Sequence, residues 1–277
     1  MLVLLASDAV PRRVGADGVS WPRPLLRDAS DPIASLRWQS HAWVARTIAR
    51  SHTEALRRLD ARIAAAPLDA SAHAMRSIAL RALQRFVESQ AALDRAVALD
   101  VHVMDDPDVL LTAAYLDARS QRWLDAVGFA RRAIPRLSTG RLDARRGLLL
   151  EVAVWSMARG SDGLAEAMDL VRELLLDPEP PPVAFAMLAL AQYRSGDVAS
   201  ARATASRALR GRADTWILWD GSLTAGELDA ATGTALALRG QREAAAVLLQ
   251  RALSTCMPVW RPSLTSALAL PAARIGP

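Results

Sequence analysis

The amino-acid sequence predicts an all-α fold built from about six helical hairpins. Its residues are 52% apolar but only 5% aromatic, and Ala, Leu and Arg predominate, which suits closely packed helices better than sheets. Apolar residues recur at three- and four-residue spacing through most of the chain. Short turns that contain Gly separate several of these segments. Together these patterns predict a repeated helix–turn–helix unit.

The clearest copy of this unit is residues 182–209. It predicts two short helices joined by a tight turn at Ser195-Gly196-Asp197. Small residues recur along the second helix at Ala201, Ala205 and Ala208, so that two helix backbones can approach closely.

The other hairpins follow from the same spacing and from capping residues. Asp31-Pro32 would begin the first helix, and Asp105-Asp106-Pro107 would cap a later one. The predicted helix pairs are 33–50 with 53–66, 69–83 with 86–99, 108–119 with 122–136, 142–159 with 161–176, and 223–239 with 242–254.

The domain boundaries follow from these helices. Residues 1–31 contain several prolines and glycines and are predicted to form an extended leader, either packed on the first helices or acting as a linker. Residues 32–256 would form the helical-repeat domain, and 257–277 a tail with at most one short helix. The proline run at 180–182 is interpreted as a spacer between hairpins rather than as a polyproline ligand.

A small residue early in each second helix gives the period of the repeat. Ala55 and Ser89 lie 34 residues apart, whereas Ala201 and Ala245 lie 44 apart. A period near 34 with loop-sized insertions is typical of helix–turn–helix repeats.

The pattern resembles the tetratricopeptide repeat over roughly residues 35–255. The residues that carry the resemblance are Phe185, Leu188, Ala189, Gly196, Asp197, Ala201 and Ala208; Gly233, Gly240, Ala245, Ala252 and Leu253; Trp123, Ala126 and Ala133; and Ala55 with Pro67. The sequence departs from the family at Ala130 and Ala205, where a large aromatic is usual. The resemblance implies a right-handed superhelix, a TPR-like solenoid, whose first helices line a concave groove for a peptide or protein.

The groove-facing positions of that family give the candidate binding residues, which are Tyr115, Arg119, Leu190, Tyr193, Arg194 and Arg81. A Tyr and an Arg that are close together can stack on, or hydrogen-bond to, an extended peptide. Alternatively, both tyrosines pack between helices and the arginines are merely solvated. Some family members bind a C-terminal carboxylate with Lys and Asn, which this chain lacks altogether, so that clamp cannot be present in its usual form.

A second candidate surface is the arginine-rich segment 131–146. It holds Arg131, Arg132, Arg136, Arg141, Arg145 and Arg146 against a single acid, Asp143. It would bind an acidic partner, or it is simply a solvated face.

The sequence shows no recognisable catalytic or metal site. Its single cysteine, Cys256, excludes an internal disulfide and a cysteine-based zinc site. The four histidines are scattered, and there is no phosphate-binding glycine loop or nucleophile elbow. We therefore expect no enzymatic activity, no cofactor and no metal. The net charge of +5 does not require nucleic acid as a partner.

Two further features bear on the source and compartment. All 34 basic residues are Arg and Asn is absent, which indicates codon bias in a GC-rich, bacterial genome. No apolar run approaches the roughly 18 residues that span a bilayer. We expect a cytoplasmic protein, with secretion or a periplasmic location as the alternative because MLVLLASDAV faintly resembles a signal peptide.

These observations predict a non-catalytic scaffold or adaptor that binds a protein or peptide in the groove of a TPR-like array. The alternative is a regulatory or sensory module that binds a small ligand or controls an effector.

Overall fold

The structure, a computed structural model, describes residues 52–137, 142–177, 180, 182–208 and 225–270. Regular secondary structure within these ranges is helical throughout, which confirms the predicted all-α class. The predicted helix 33–50, the leader 1–31 and Arg141 lie outside the described residues.

The described residues contain twelve α-helices, and they reproduce the predicted pairs to within a few residues. The helices are α1 (52–65), α2 (Ala70–Ala82), α3 (Phe86–Leu99), α4 (Pro107–Arg119), α5 (Trp123–Ala133), α6 (Leu142–Ala158), α7 (Leu164–Leu174), α8 (Pro182–Arg194), α9 (Val198–Ala208), α10 (Ala225–Leu238), α11 (Arg242–Thr255) and α12 (Arg261–Leu268). Short 3₁₀ turns occupy Val101–Asp105, Ile134–Arg136, Gly160–Gly163 and Pro258–Trp260.

The chain divides into two compact units whose boundary falls within α6, between Arg145 and Arg146. In the first unit, α2 forms a hairpin with α3 and also packs against α4, and α4 in turn forms a hairpin with α5. Its main core cluster consists of Ala74, Leu93, Ala96, Val109, Ala113 and Leu116.

A buried pair of serines joins the helices of the first complete hairpin. Ser77 on α2 and Ser89 on α3 are both fully buried. Each hydroxyl donates to the backbone carbonyl oxygen of the other residue, at 2.8 Å. Both polar side chains are therefore satisfied at a point where two small residues allow the helices to approach.

In the second unit, α8 forms a hairpin with α9 and packs against both α7 and α10. The next hairpin, α10 with α11, is covered by α12. Trp260 and Leu264, at the start of that last helix, are fully buried. In both units the first helix of one hairpin thus packs on the first helix of the next.

The same turn closes four of the hairpins. Gln84, Gln121, Gly196 and Gly240 follow the first helices with φ values of 59°, 59°, 88° and 78°. The backbone N–H of the next residue then donates to the carbonyl oxygen five residues earlier. The donor and acceptor pairs, at 2.9 to 3.0 Å, are Arg85 and Leu80, Arg122 and Asp117, Asp197 and Gln192, and Gln241 and Leu236. This is the Schellman arrangement, which ends a helix through one left-handed residue.

The fourth hairpin, α6 with α7, is the irregular copy, as its sequence indicated. A 3₁₀ turn at Gly160–Gly163 delays the second helix until Leu164, three residues later than predicted. A Cβ atom on Gly163 would lie 1.6 Å from the Ser156 carbonyl oxygen, so only glycine fits at this position. Ala167, which is fully buried, takes the place of the small residue expected near 165–167.

Glycine also lets α10 approach the C-terminal end of α11. A Cβ atom on Gly226 would lie 2.6 Å from Thr255 Oγ1 and 2.8 Å from the backbone nitrogen of Cys256. Because one of these atoms belongs to the backbone, a side-chain rotation alone cannot relieve the clash.

We therefore expect Gly226→Ala to lower the free energy of unfolding by about 1–3 kcal/mol through overpacking. The matched control is Gly128→Ala on α5, where an added Cβ would have no atom within 4 Å. That change should raise stability by about 0.5–1 kcal/mol because alanine favours the helix. Urea unfolding followed by circular dichroism measures both, and equal effects of the two variants would contradict this packing.

Candidate functional site

The candidate residues of the first unit meet on the first helices α2 and α4. The Arg81 guanidinium lies over the ring of Tyr115, with Cζ 4.8 Å from the ring centroid. Arg81 Nε also donates to Thr112 Oγ1 at 3.3 Å. Arg81 and Tyr115 are both partly exposed. The stack therefore forms a ready-made polar and aromatic surface.

Arg119, the other candidate at the end of α4, contacts an aromatic ring of a neighbouring helix. Its guanidinium lies over Phe86 of α3, with Cζ 4.0 Å from the ring centroid. Tyr115 stacks with Arg81, and Arg119 covers the start of the neighbouring second helix.

In the second unit, Tyr193 and Arg194 follow each other at the end of α8. Tyr193 is partly buried, and desolvation raises the pKa of its phenol. Arg194 lies over the ring of Trp260, with Cζ 5.4 Å from the ring centroid. Burial lowers the pKa of Arg194 to about 10, and only Cys256 acts in the opposite direction.

Leu190 requires a correction, since it is fully buried in the core and is not part of a binding surface. The reason is that α8 contacts α7, α9 and α10, which leaves little of this helix exposed. An unexpected stack in the same unit joins α9 to α8, where the Arg207 Cζ lies 4.5 Å from the Phe185 ring centroid. No spacing in the sequence could have indicated this pair.

The arginine-rich segment does not form one uniform patch. Arg131, Arg132 and Arg145 are exposed, and Arg132 lies over the ring of Phe129. Arg136 donates to the Asp105 carbonyl oxygen at 3.0 Å, and Arg146 donates to the Asp177 carboxylate at 2.7 Å. Arg136 and Arg146 are thus held by residues from distant parts of the sequence.

A cleft in the first unit was not predicted. It has a volume of about 660 Å³ and lies between α3, the 3₁₀ turn at 101–105, α4 and α5. Leu93, Val97, Met104, Ala113 and Phe129 provide its apolar lining, and Gln90, Asp94, His102, Asp105, Asp117 and Arg132 its polar lining. Loop 100–106 contributes part of this lining, and no spacing in the sequence indicates where the loop packs.

Two features are absent from the part of the chain that the structure describes. No three or more His, Cys, Asp or Glu side chains are grouped so that they could hold a metal ion. None of the described helices is long and apolar enough to cross a membrane.

Comparison with known proteins gave no match to a family model and no match to a curated protein. Several solved structures are similar at low identity. A chain of the Naa15/Naa10 complex bound to HypK-THB is 15% identical, with a TM-score of 0.42, over 81% of this chain and 33% of that one. Pseudomonas aeruginosa PilF is 13% identical, with a TM-score of 0.48, over 80% of this chain and 96% of that one. The Thermus thermophilus TPR protein TTC0263 is 20% identical, with a TM-score of 0.40, over 73% of this chain and 100% of that one.

The first of these chains is about three times longer than the region it shares with this protein. TM-scores below 0.5 are too low to assign a function from any of these structures. The fold itself is identified by its own geometry, namely repeated hairpins closed by the same turn, with first helices packed on first helices. The chain is an all-α helical-repeat protein.

The stack between α2 and α4 can be tested through its coupling energy. We expect a double-mutant cycle with Arg81→Met and Tyr115→Leu to give a coupling of about 0.5–1 kcal/mol, as is usual for a partly exposed cation–π pair. The control cycle uses Arg132→Met and Phe129→Leu, where the Cζ-to-centroid distance is 5.9 Å. Urea unfolding should show a smaller coupling there, and coupling energies of the reverse order would contradict the arrangement.

Proposed function

We propose that this TPR-like repeat is a non-catalytic scaffold that binds a segment of another protein along its first helices. The Arg81–Tyr115 stack carries the proposal, because it joins two successive first helices and remains partly exposed. Tyr and Arg are enriched among the residues that dominate binding energy at protein interfaces. Holding both side chains in place beforehand also reduces the entropy lost on binding.

The surroundings of the stack suit an extended segment with mixed polarity. Ile78, one turn before Arg81 on α2, and Leu111, one turn before Tyr115 on α4, are partly exposed apolar side chains. A partner could place apolar side chains against these two residues and polar groups against the guanidinium. In the second unit, Tyr193 and Arg194 occupy the corresponding end of first helix α8.

Two buried carboxylates have a structural role that fits a non-catalytic scaffold. Asp117 accepts a hydrogen bond from Arg122, in the turn before α5, and Asp229 accepts from Arg251 on α11. Desolvation raises the pKa of Asp117, although Arg122 opposes the rise. Carboxylates held in this way hold turns and helices together, and their pairing leaves them poorly placed for proton transfer.

The test is affinity capture followed by mass spectrometry. We expect the wild-type chain to retain at least one protein that the Arg81→Ala, Tyr115→Ala double variant loses. The matched control changes an arginine and an apolar residue that are both exposed on α3, Arg95→Ala with Val87→Ala, and should retain that protein. Circular dichroism would verify that both variants fold. A partner set that is identical in all three proteins would contradict binding along the first helices.

The cleft of the first unit favours the alternative, a regulatory or sensory module for a small ligand. The carboxylate of Asp94, at its edge, accepts a hydrogen bond from Gln90 Nε2 at 2.8 Å and has no arginine partner among the described residues. An apolar lining beside such a carboxylate fits an aliphatic amine.

A thermal-shift screen with aliphatic monoamines and diamines tests this alternative. A site of this kind should give a concentration-dependent rise in Tm because the ligand binds only the folded state. Asp94→Asn should abolish the rise, and Asp125→Asn, at an exposed site on α5, should preserve it. If no amine shifts Tm, or if Asp94→Asn leaves the shift intact, the cleft is not an amine site.

A further inference from the structure

Two hydrogen-bond donors in the second unit are buried together without an acceptor. The guanidinium of Arg194, at the end of α8, lies over the ring of Trp260. Arg194 Nη1 and Trp260 Nε1 are both fully buried, and neither has a hydrogen-bond partner within the described ranges. A buried N–H group of this kind has lost its hydration without a compensating bond.

Arg194 also has no counter-ion among the described residues. With a pKa lowered to about 10, it still carries its positive charge at neutral pH. Cys256 is the group that acts on it electrostatically, but burial raises the pKa of that thiol above its usual value. The sulfur is therefore neutral at pH 7 and supplies no negative charge. The ring of Trp260 compensates only partly for the missing anion.

Neighbouring groups do not fill this gap. Gln192 Oε1, two residues earlier, is buried and has no hydrogen-bond donor of its own, so it does not reach the guanidinium. Other arginines of this unit do have carboxylate partners, since Arg159 binds Glu166 and Arg251 binds Asp229. All three arginines are partly buried, and Arg194 differs from the other two in facing an aromatic ring in place of an acid.

The site is accessible from one side. Trp260 and Arg194 Nη1 are fully buried, whereas the Arg194 side chain as a whole is partly exposed, so an approaching group meets the exposed part of that side chain first. A ring that contacts the face of a guanidinium leaves its N–H groups, which point outward in the plane, available for bonding. This geometry suits a carboxylate, which can accept two parallel hydrogen bonds from arginine.

We propose that Arg194, supported by Trp260, binds an aspartate or glutamate side chain of the partner segment. The inference rests on the proposed function, because it assigns a chemistry to the end of first helix α8, in the second unit, where a partner segment would bind. A carboxylate supplies the missing acceptor and the missing negative charge at once. A backbone carbonyl of the partner would supply only the acceptor, and a partly buried cation would remain without a counter-ion.

The test uses an array of short peptides, each present in an Asp/Glu form and in the matching Asn/Gln form. We expect the full-length wild-type chain to bind some acidic forms at least about tenfold more tightly than their amide forms. Arg194→Gln should abolish this preference. Arg194→Lys should retain part of it, because it keeps the charge without the planar fork. Arg202→Ala, which removes an exposed arginine on α9, should leave it unchanged.

A preference that survives Arg194→Gln would overturn the proposal. Stability of the free protein provides an independent measurement. Since Arg194 has no acceptor within the described ranges, Arg194→Gln and Arg194→Met should leave Tm unchanged or raise it, and a clear fall would also overturn the proposal. An acceptor within this chain would overturn the proposal as well, and Asp214 and Asp220, which lie outside the described residues, are tested for that role. If one of them were the acceptor, Asp214→Asn or Asp220→Asn would lower the Tm of the wild-type chain but not the Tm of the Arg194→Gln variant.

The two proposals fail in different ways. An array in which no peptide binds in either form counts against peptide binding by the scaffold, and the Tm of Arg194→Gln still reports whether the guanidinium lacks an acceptor. Peptides that bind equally in both forms count against the carboxylate alone.

Discussion

The structure depends on a turn that reverses the chain within two residues after the first helix of four hairpins. In four hairpins, a residue in the left-handed region is followed by an N–H that bonds five residues back. Because the reversal is so short, the second helix runs antiparallel to the first and packs against it. The small residues Ser89, Ala126, Ala201 and Ala245, which come early in the second helices, are buried as a result. The repeated turn therefore sets the register of each hairpin, and the packing of side chains follows from it.

Packing between hairpins determines which surface is left for binding. Because first helices contact first helices in both units, most of α8 is buried and only its end remains partly exposed. Arginine suits such exposed ends because its planar guanidinium can cover an aromatic face and still present N–H groups to a partner. The stacks on Tyr115, Phe86, Phe185 and Trp260 all use arginine in this way. A chain without lysine thus uses one residue type both for packing and for charge.

Local features of the fold were predictable from the sequence, and contacts between distant segments were not. Periodicity and the Asp106-Pro107 cap placed the helices to within a few residues, because both act within one turn of helix. Gly196 and Gly240 marked two turns, but Gln84 and Gln121 adopt the same left-handed conformation without a glycine to reveal it. Leu190 was expected in the groove because it occupies a groove-facing position of the repeat pattern. That pattern does not reveal that neighbouring helices bury this residue. The contact of Arg194 with Trp260 joins residues far apart in sequence, and no spacing rule connects them.

Some buried polar groups find hydrogen-bond partners within the described residues, and others do not. Ser77 and Ser89 satisfy each other, and Asp117 has Arg122, so these groups are compensated within the fold. Arg194 and Trp260 receive no such compensation within the described residues, although burying them costs the protein hydration energy. A purely structural role would be served as well by an apolar side chain at position 194, without that cost. The retained charge therefore makes physical sense when the missing acceptor comes from the molecule that this surface binds.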